Sequence, residues 1–199
     1  PIGPHSNVSK KPYSVTLSLS DRIDTLIGFF GINEKPSSSK DPYALRRIAH
    51  GIIRILIENK KDIKINDIVS YSSNIYLDQG FQFSNNELIK DISNFLKDRF
   101  KYYLKEKNFR HDIIDASVKI LDLNKISTNF EKAKSLNKVI DKPIGVDIIS
   151  SYKRAFNIIN SETKTAVDQL TNTTDPGIFN NEYEKALFKK TNELKQIFS

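Results

Sequence analysis

The chain has 199 residues, 38% hydrophobic and 28% charged, which is enough apolar mass for one domain or two small ones and too much for general disorder. With no Cys it excludes a disulfide framework, thiolate zinc and a cysteine nucleophile, and its three His (His5, His50, His111) leave little for a histidine-rich metal centre. A formal charge of +7 favours a polyanionic partner, but the abundance of Lys, Asn and Ile points to codon bias behind part of it, so the Arg residues carry more information than the Lys.

Residues 1–12, rich in Pro, Gly, Ser and Lys, read as an entering linker. From Tyr13 to Phe30, apolar residues at Val15, Leu19, Ile23, Leu26, Ile27 and Phe30 recur at helix spacing, and Gly31 stops the pattern. The stretch GINEKPSSSK over 31–40 is loop. Asp41 then stands as N-cap with Pro42 at the first helical position, ahead of a buried stripe through Leu45, Ile48, Ala49, Ile52, Ile53 and Leu56. A helix over 63–76 follows, with Asp78-Gln79-Gly80 as its closing turn. Ser84 and Glu87 form a capping-box pattern before a long helix that points Leu88, Ile92, Phe95, Leu96, Phe100, Tyr103 and Leu104 inward.

Further helices are predicted around Ile113–Leu121, over 130–140 and over 145–161, the last with Ile148, Ile149, Tyr152, Phe156 and Ile159 as its apolar side. The loop TNTTDPG at 171–177 leads to a final helix with Tyr183, Ala186, Leu187, Leu194 and Ile197. No strand alternation is present. The fold class is therefore all-α, two packed helical parts in a multi-helix bundle, with a seam near residue 60. No apolar run of about 18 residues or signal peptide is present, so a soluble cytoplasmic protein with no membrane association is expected. The absence of Met and an amphipathic pattern unfinished at Ser199 suggest a fragment of a longer chain.

Residues able to carry chemistry are sparse. His111-Asp112 resembles a metal dyad, but further ligands are missing and Asp112 suits the first turn of a helix. Asp21 and Asp24 share a helix face and can hold a cation or pair with Arg22 or Lys11. No Gly-rich phosphate loop, GxSxG or CxxC occurs, so neither catalytic nor metal residues are assigned. Three cationic rows stand out instead. Arg46, Arg47, His50 and Arg54 are expected opposite the apolar stripe of their helix. Lys97, Lys101 and Lys105 form a second row with Arg99, Tyr102 and Arg110 beside it, and Lys153, Arg154 and Asn157 form a third. Each is equally a solvated helix face.

The segment LSLSDRIDTLIGFFGINEKPSSSKDPYALRRIAHGIIRIL (17–56) closely resembles the beta subunit of the bacterial heterotetrameric glycyl-tRNA synthetase, with its DxxDTLxGFF helix and GSKDPxALRR signature. FLKDRFKYYLKEKNFRHDIIDA (95–116) and YKRAFNII (152–159) are similar to later blocks of that family in the same order. His50 stands where the family has an apolar residue, and the chain ends before the family's closing helices. The resemblance implies that 1–62 is the end of an HD-like helical body region and 63–199 an incomplete DALR-like anticodon-binding domain.

It further implies a tRNA(Gly)-binding role without catalysis in this fragment, the partner being the alpha subunit of an alpha2beta2 heterotetramer. ATP and Mg are used by that alpha subunit, which joins glycine to AMP and then to the tRNA; no cofactor is expected here. Arg99, Lys101, Arg110, Lys153, Arg154 and Asn157 are the expected tRNA contacts, together with Arg54 and with Arg46 and Arg47, which serve equally well to dock two domains. Two alternatives stay open: a helical subunit-assembly module with no RNA contact, and a relic HD-type hydrolase.

Overall fold

The computed structural model describes residues 7–162 and 174–198. Eight α-helices are present among them: α1 (Pro12–Gly31), α2 (Leu45–Glu58), α3 (Ile65–Asp78), α4 (Asn85–Glu106), α5 (His111–Lys119), α6 (Ile126–Val139), α7 (Pro143–Glu162) and α8 (Glu182–Phe198). Two single 3-10 turns, Leu123–Lys125 and Pro176–Ile178, lie between them, and no strand occurs among the described residues. The protein is all-α, as its periodicity requires. No helix among the described residues is long and apolar enough to cross a membrane.

The chain divides into two compact units, Pro1–Val146 and Asp147–Ser199, so the division falls in the first turn of α7. The seam expected at 62/63 lies within the first unit, in the α2–α3 connection. That connection is tied to the far end of the unit. The Ser127 N–H donates to the Asp62 carboxylate at 2.8 Å, and the Thr128 hydroxyl donates to its other oxygen. Asp62 thus caps α6 from 65 residues away, satisfying donors that a helix start otherwise leaves to water. The cap accounts for α6 beginning at Ile126, ahead of the predicted 130, because no local pattern announces a partner so distant in sequence.

The first unit is built around α2 and α4. Leu88, Ile92, Leu96, Phe100 and Leu104 form the buried stripe of α4. On α2, every residue from 51 to 57 is buried, because α1, α4 and α6 all pack on it. Its spacing predicts a one-sided amphipathic helix, but a helix surrounded on three sides has little solvent face left. Arg54 is the main correction. Expected on the exposed side, it is only 8% accessible and donates through Nε to Glu58 at 2.9 Å, the ion pair that a buried cation requires.

Asp41 does cap α2, though from outside the first turn. The helix begins at Leu45, whose N–H donates to Asp41 at 2.8 Å, and the Arg46 N–H donates to the same carboxylate at 3.0 Å. Pro42 and Tyr43 form a turn, and Ala44 holds φ +54° to bring the chain round. Ser84 sits at the N-cap position of α4, but its hydroxyl makes no capping bond; the buried Ser73 hydroxyl instead donates to Asn85 in the first turn. Gly80, with φ +95°, closes α3 in the predicted turn, a conformation that favours glycine.

In the second unit, α8 starts on a reciprocal capping box. The Glu184 N–H donates to Asn181 Oδ1 at 2.9 Å, and the Asn181 N–H donates back to Glu184 Oε2 at 3.3 Å. Phe179 packs on Phe188 with ring centroids 5.3 Å apart. Ile148, Tyr152 and Phe156, expected as an inward stripe on α7, are exposed. The residues of the 171–177 loop before 174 lie outside the described residues.

Candidate nucleic-acid interface

The nine sequence-predicted polar and cationic site residues fall into distinct environments. Arg54 is inside the first unit, as described. Arg46 donates from its guanidinium to the Ser37 carbonyl and so braces the loop that carries Asp41. That bond joins α2 to the loop just before it, inside one unit. Its neighbour Arg47 is exposed and makes no hydrogen bond or ion pair among the described residues.

Lys101 and Arg110 lie toward the C-terminal end of α4 and the start of α5, and both are claimed by carboxylates. Lys101 reaches Asp115 at 3.0 Å. The Arg110 fork holds Asp112, at 2.7 Å, and Asp141. The hydrogen bond from Arg110 is the chief reason the Asp112 carboxyl sits below the usual carboxylate range, and the same contact holds the Arg110 guanidinium protonated above its ordinary value. Two carboxylates around one guanidinium leave little positive charge for a phosphate. Asp115 is likewise lowered, first by Lys101, and His111 Nδ1 lies 3.0 Å from its second oxygen. Asp112 therefore belongs to the first-turn electrostatics of α5, and no group of three or more His, Cys, Asp or Glu able to hold a metal occurs among the described residues.

Asp24 accepts a hydrogen bond from the Tyr76 hydroxyl at 3.0 Å across α1 and α3. Arg22, between Asp21 and Asp24 in sequence, presses its guanidinium against α2 at Gly51, where an added Cβ would lie 3.1 Å from it. Asp24 and Arg22 of the DxxDTL segment thus serve helix packing, while Asp21 is exposed.

Arg99 is different. Its guanidinium carbon lies 5.8 Å from the Phe95 ring centroid and 5.6 Å from that of Tyr102, so it is layered between two aromatic side chains of its own helix. No carboxylate among the described residues pairs with it, and its buried Nε has no hydrogen-bond partner. His50 of α2 approaches Tyr102 edge-on, with centroids 6.0 Å apart, and also packs on Tyr103. Burial lowers the His50 pKa most; Glu106, 3.4 Å from Nε2, opposes this, while Arg54, Arg99 and Lys107 reinforce it. The imidazole is therefore neutral at pH 7. Burial raises the Tyr103 hydroxyl to about 12. The residues of the Phe95–Arg99–Tyr102 ladder fall at i, i+4 and i+7; Phe95, expected inward, is half-buried and packs on Phe30 with centroids 5.2 Å apart.

On α7, Lys153, Arg154 and Asn157 are exposed, with no ion pair or side-chain hydrogen bond among the described residues. Tyr152 and Phe156 stack beside them, centroids 6.1 Å apart. Arg47, Arg99, Lys153 and Arg154 are therefore the candidate cations that no described anion neutralises.

Residues 1–119 match the family model described as glycyl-tRNA synthetase beta subunit. The chain is similar to proteins named glycine–tRNA ligase beta subunit. It is 35% identical to that of Cereibacter sphaeroides (strain ATCC 17023) over 189 residues, 94% of this chain and 27% of the relative. It is 38% identical to that of Rickettsia africae (strain ESF-5) over 173 residues, 87% of this chain and 24% of the relative. The chain thus spans about a quarter of the length of these curated relatives.

Proposed function

Since the chain belongs to the glycyl-tRNA synthetase beta subunit family, we propose that it is part of the tRNA-gripping subunit of glycine–tRNA ligase, with the bond-making site for ATP and glycine on a separate alpha subunit. The observation that supports a tRNA contact is the set of unneutralised cations Arg47, Arg99, Lys153 and Arg154 on helix faces, two of them beside the exposed aromatics of α7. Lys and Arg neutralise phosphates and fix register, while amides such as Asn157 and planar side chains discriminate unstacked bases. Lys101 and Arg110 contribute less, because their charge is already met by Asp115, Asp112 and Asp141. Arg54, buried against Glu58, and Arg46, bound to its loop, are assigned to packing.

The test is a titration of tRNA(Gly) against the complete beta subunit with its alpha partner over a range of salt. Each phosphate contact contributes a log–log slope of about −0.7 to −0.9. Reversing Lys153 and Arg154 to Glu should weaken binding and flatten the slope by about two contacts. A salt-independent affinity, or full affinity in that folded variant, refutes the phosphate grip. A second reading, a helical assembly module, is favoured by the exposure of Ile148, Tyr152 and Phe156 on α7. A native gel in which alpha subunit shifts the protein and tRNA does not would establish it.

A further inference from the structure

We infer that the Arg99–Tyr102 ladder on α4 is a stacking site for an unpaired RNA base, a contact separate from the phosphate grip but resting on the tRNA-binding reading. Three observations carry it. The Arg99 guanidinium carbon lies over the rings of Phe95 and Tyr102, 5.8 and 5.6 Å from their centroids, and no carboxylate among the described residues pairs with it. Its Nε is closed off without a partner, so the hydrogen-bonding capacity it retains lies in the terminal nitrogens of the fork. Tyr102 is 48% exposed and its hydroxyl makes no hydrogen bond among the described residues, yet the ring is braced from below by the edge of His50 at 6.0 Å. A propped, half-exposed ring and an unpaired guanidinium side by side offer a π surface and a planar donor fork, the combination on which single-stranded bases stack and present their edges.

The chemistry also selects among occupants. Glu106 lies one turn beyond Tyr102 on α4, against His50, and is about one-third exposed, so an acidic protein segment laid along the ladder meets a carboxylate at its far end. A base carries no such charge, and its amino groups can donate to that carboxylate. Arg47, exposed one turn before His50 on α2, is available for the phosphate of the same nucleotide or its neighbour.

The experiment measures tRNA(Gly) binding by the complete beta subunit with its alpha partner, wild type against Tyr102→Ala, Tyr102→Phe, Arg99→Lys and Arg47→Ala, with circular dichroism as the folding control. Tyr102→Ala should weaken binding roughly 5- to 150-fold, the range for one stacked base, with an unchanged salt slope because no counterion is released by a neutral ring. Tyr102→Phe should recover most of the loss. Arg99→Lys should lose affinity despite keeping its charge, and Arg47→Ala should flatten the slope by about 0.7–0.9.

Wild-type affinity in folded Tyr102→Ala, with binding otherwise intact and salt-dependent, overturns the stacking site alone. Loss of alpha-subunit association in place of tRNA binding makes the ladder a protein interface and also overturns it. No tRNA binding by wild-type protein defeats the underlying reading as well.

Discussion

Replacing Asp41 with Ala removes the carboxylate that receives both the Leu45 and the Arg46 N–H, at 2.8 and 3.0 Å. Losing an N-cap costs about 0.5–2 kcal/mol, and loss of the negative charge at the helix start adds about 0.3–1 kcal/mol. The upper half of that range applies here, because Leu45 is 1% exposed and the released N–H has little access to water. A total of about 2 kcal/mol corresponds to a fall of about 4–8 °C in Tm for a chain of this size. Asp41→Asn, which keeps an acceptor without the charge, should lose less than half as much. Ala44→Gly should act in the opposite direction, by about 0.5–1 kcal/mol, since the residue holds φ +54° to let the cap form. Thermal unfolding of the three variants, followed by circular dichroism, is the assay. If Asp41→Ala shifts Tm by less than 1 °C, or Asp41→Asn equals it, the carboxylate is not capping α2, and the KDPYALRR segment must owe its chemistry to something other than helix docking.

Phe100 is wholly buried on α4, so Phe100→Ala should cost about 3–5 kcal/mol in urea unfolding, far above any surface cation of the same helix. For His50, burial lowers the folded-state pKa below the ordinary value of 6.5, so the unfolded chain binds the proton more readily. The stabilising contribution of neutral His50 is complete above pH 6.5 and is lost as pH falls from there toward the folded value; Tm profiles of wild type and His50→Leu should converge in slope above pH 7 and separate below 6.5, wild type falling more steeply. Asp62→Ala should loosen the start of α6, read as faster amide exchange at Ser127 and Thr128, whose N–H groups it receives. Protection equal to wild type there would show that water replaces the long-range cap without cost.

The sequence alone settles which segments are helical, because apolar residues at three- and four-residue spacing, together with a turn former such as Gly80, are local properties. It also carries the family, through ordered motifs that no fold calculation requires. Which cations remain available was decided elsewhere. Arg46, Arg47 and Arg54 look alike on a helical wheel, yet one clasps a loop carbonyl, one is exposed and one is buried with Glu58. Arg99 and Arg110 are equally basic on paper, but one is layered between rings and the other held by two carboxylates, Asp141 lying 31 residues away. A side chain's electrostatic freedom depends on neighbours brought close by chain closure, and those neighbours leave no trace in local spacing. The periodicity of a helix tells which residues share a side; only packing tells which sides are covered.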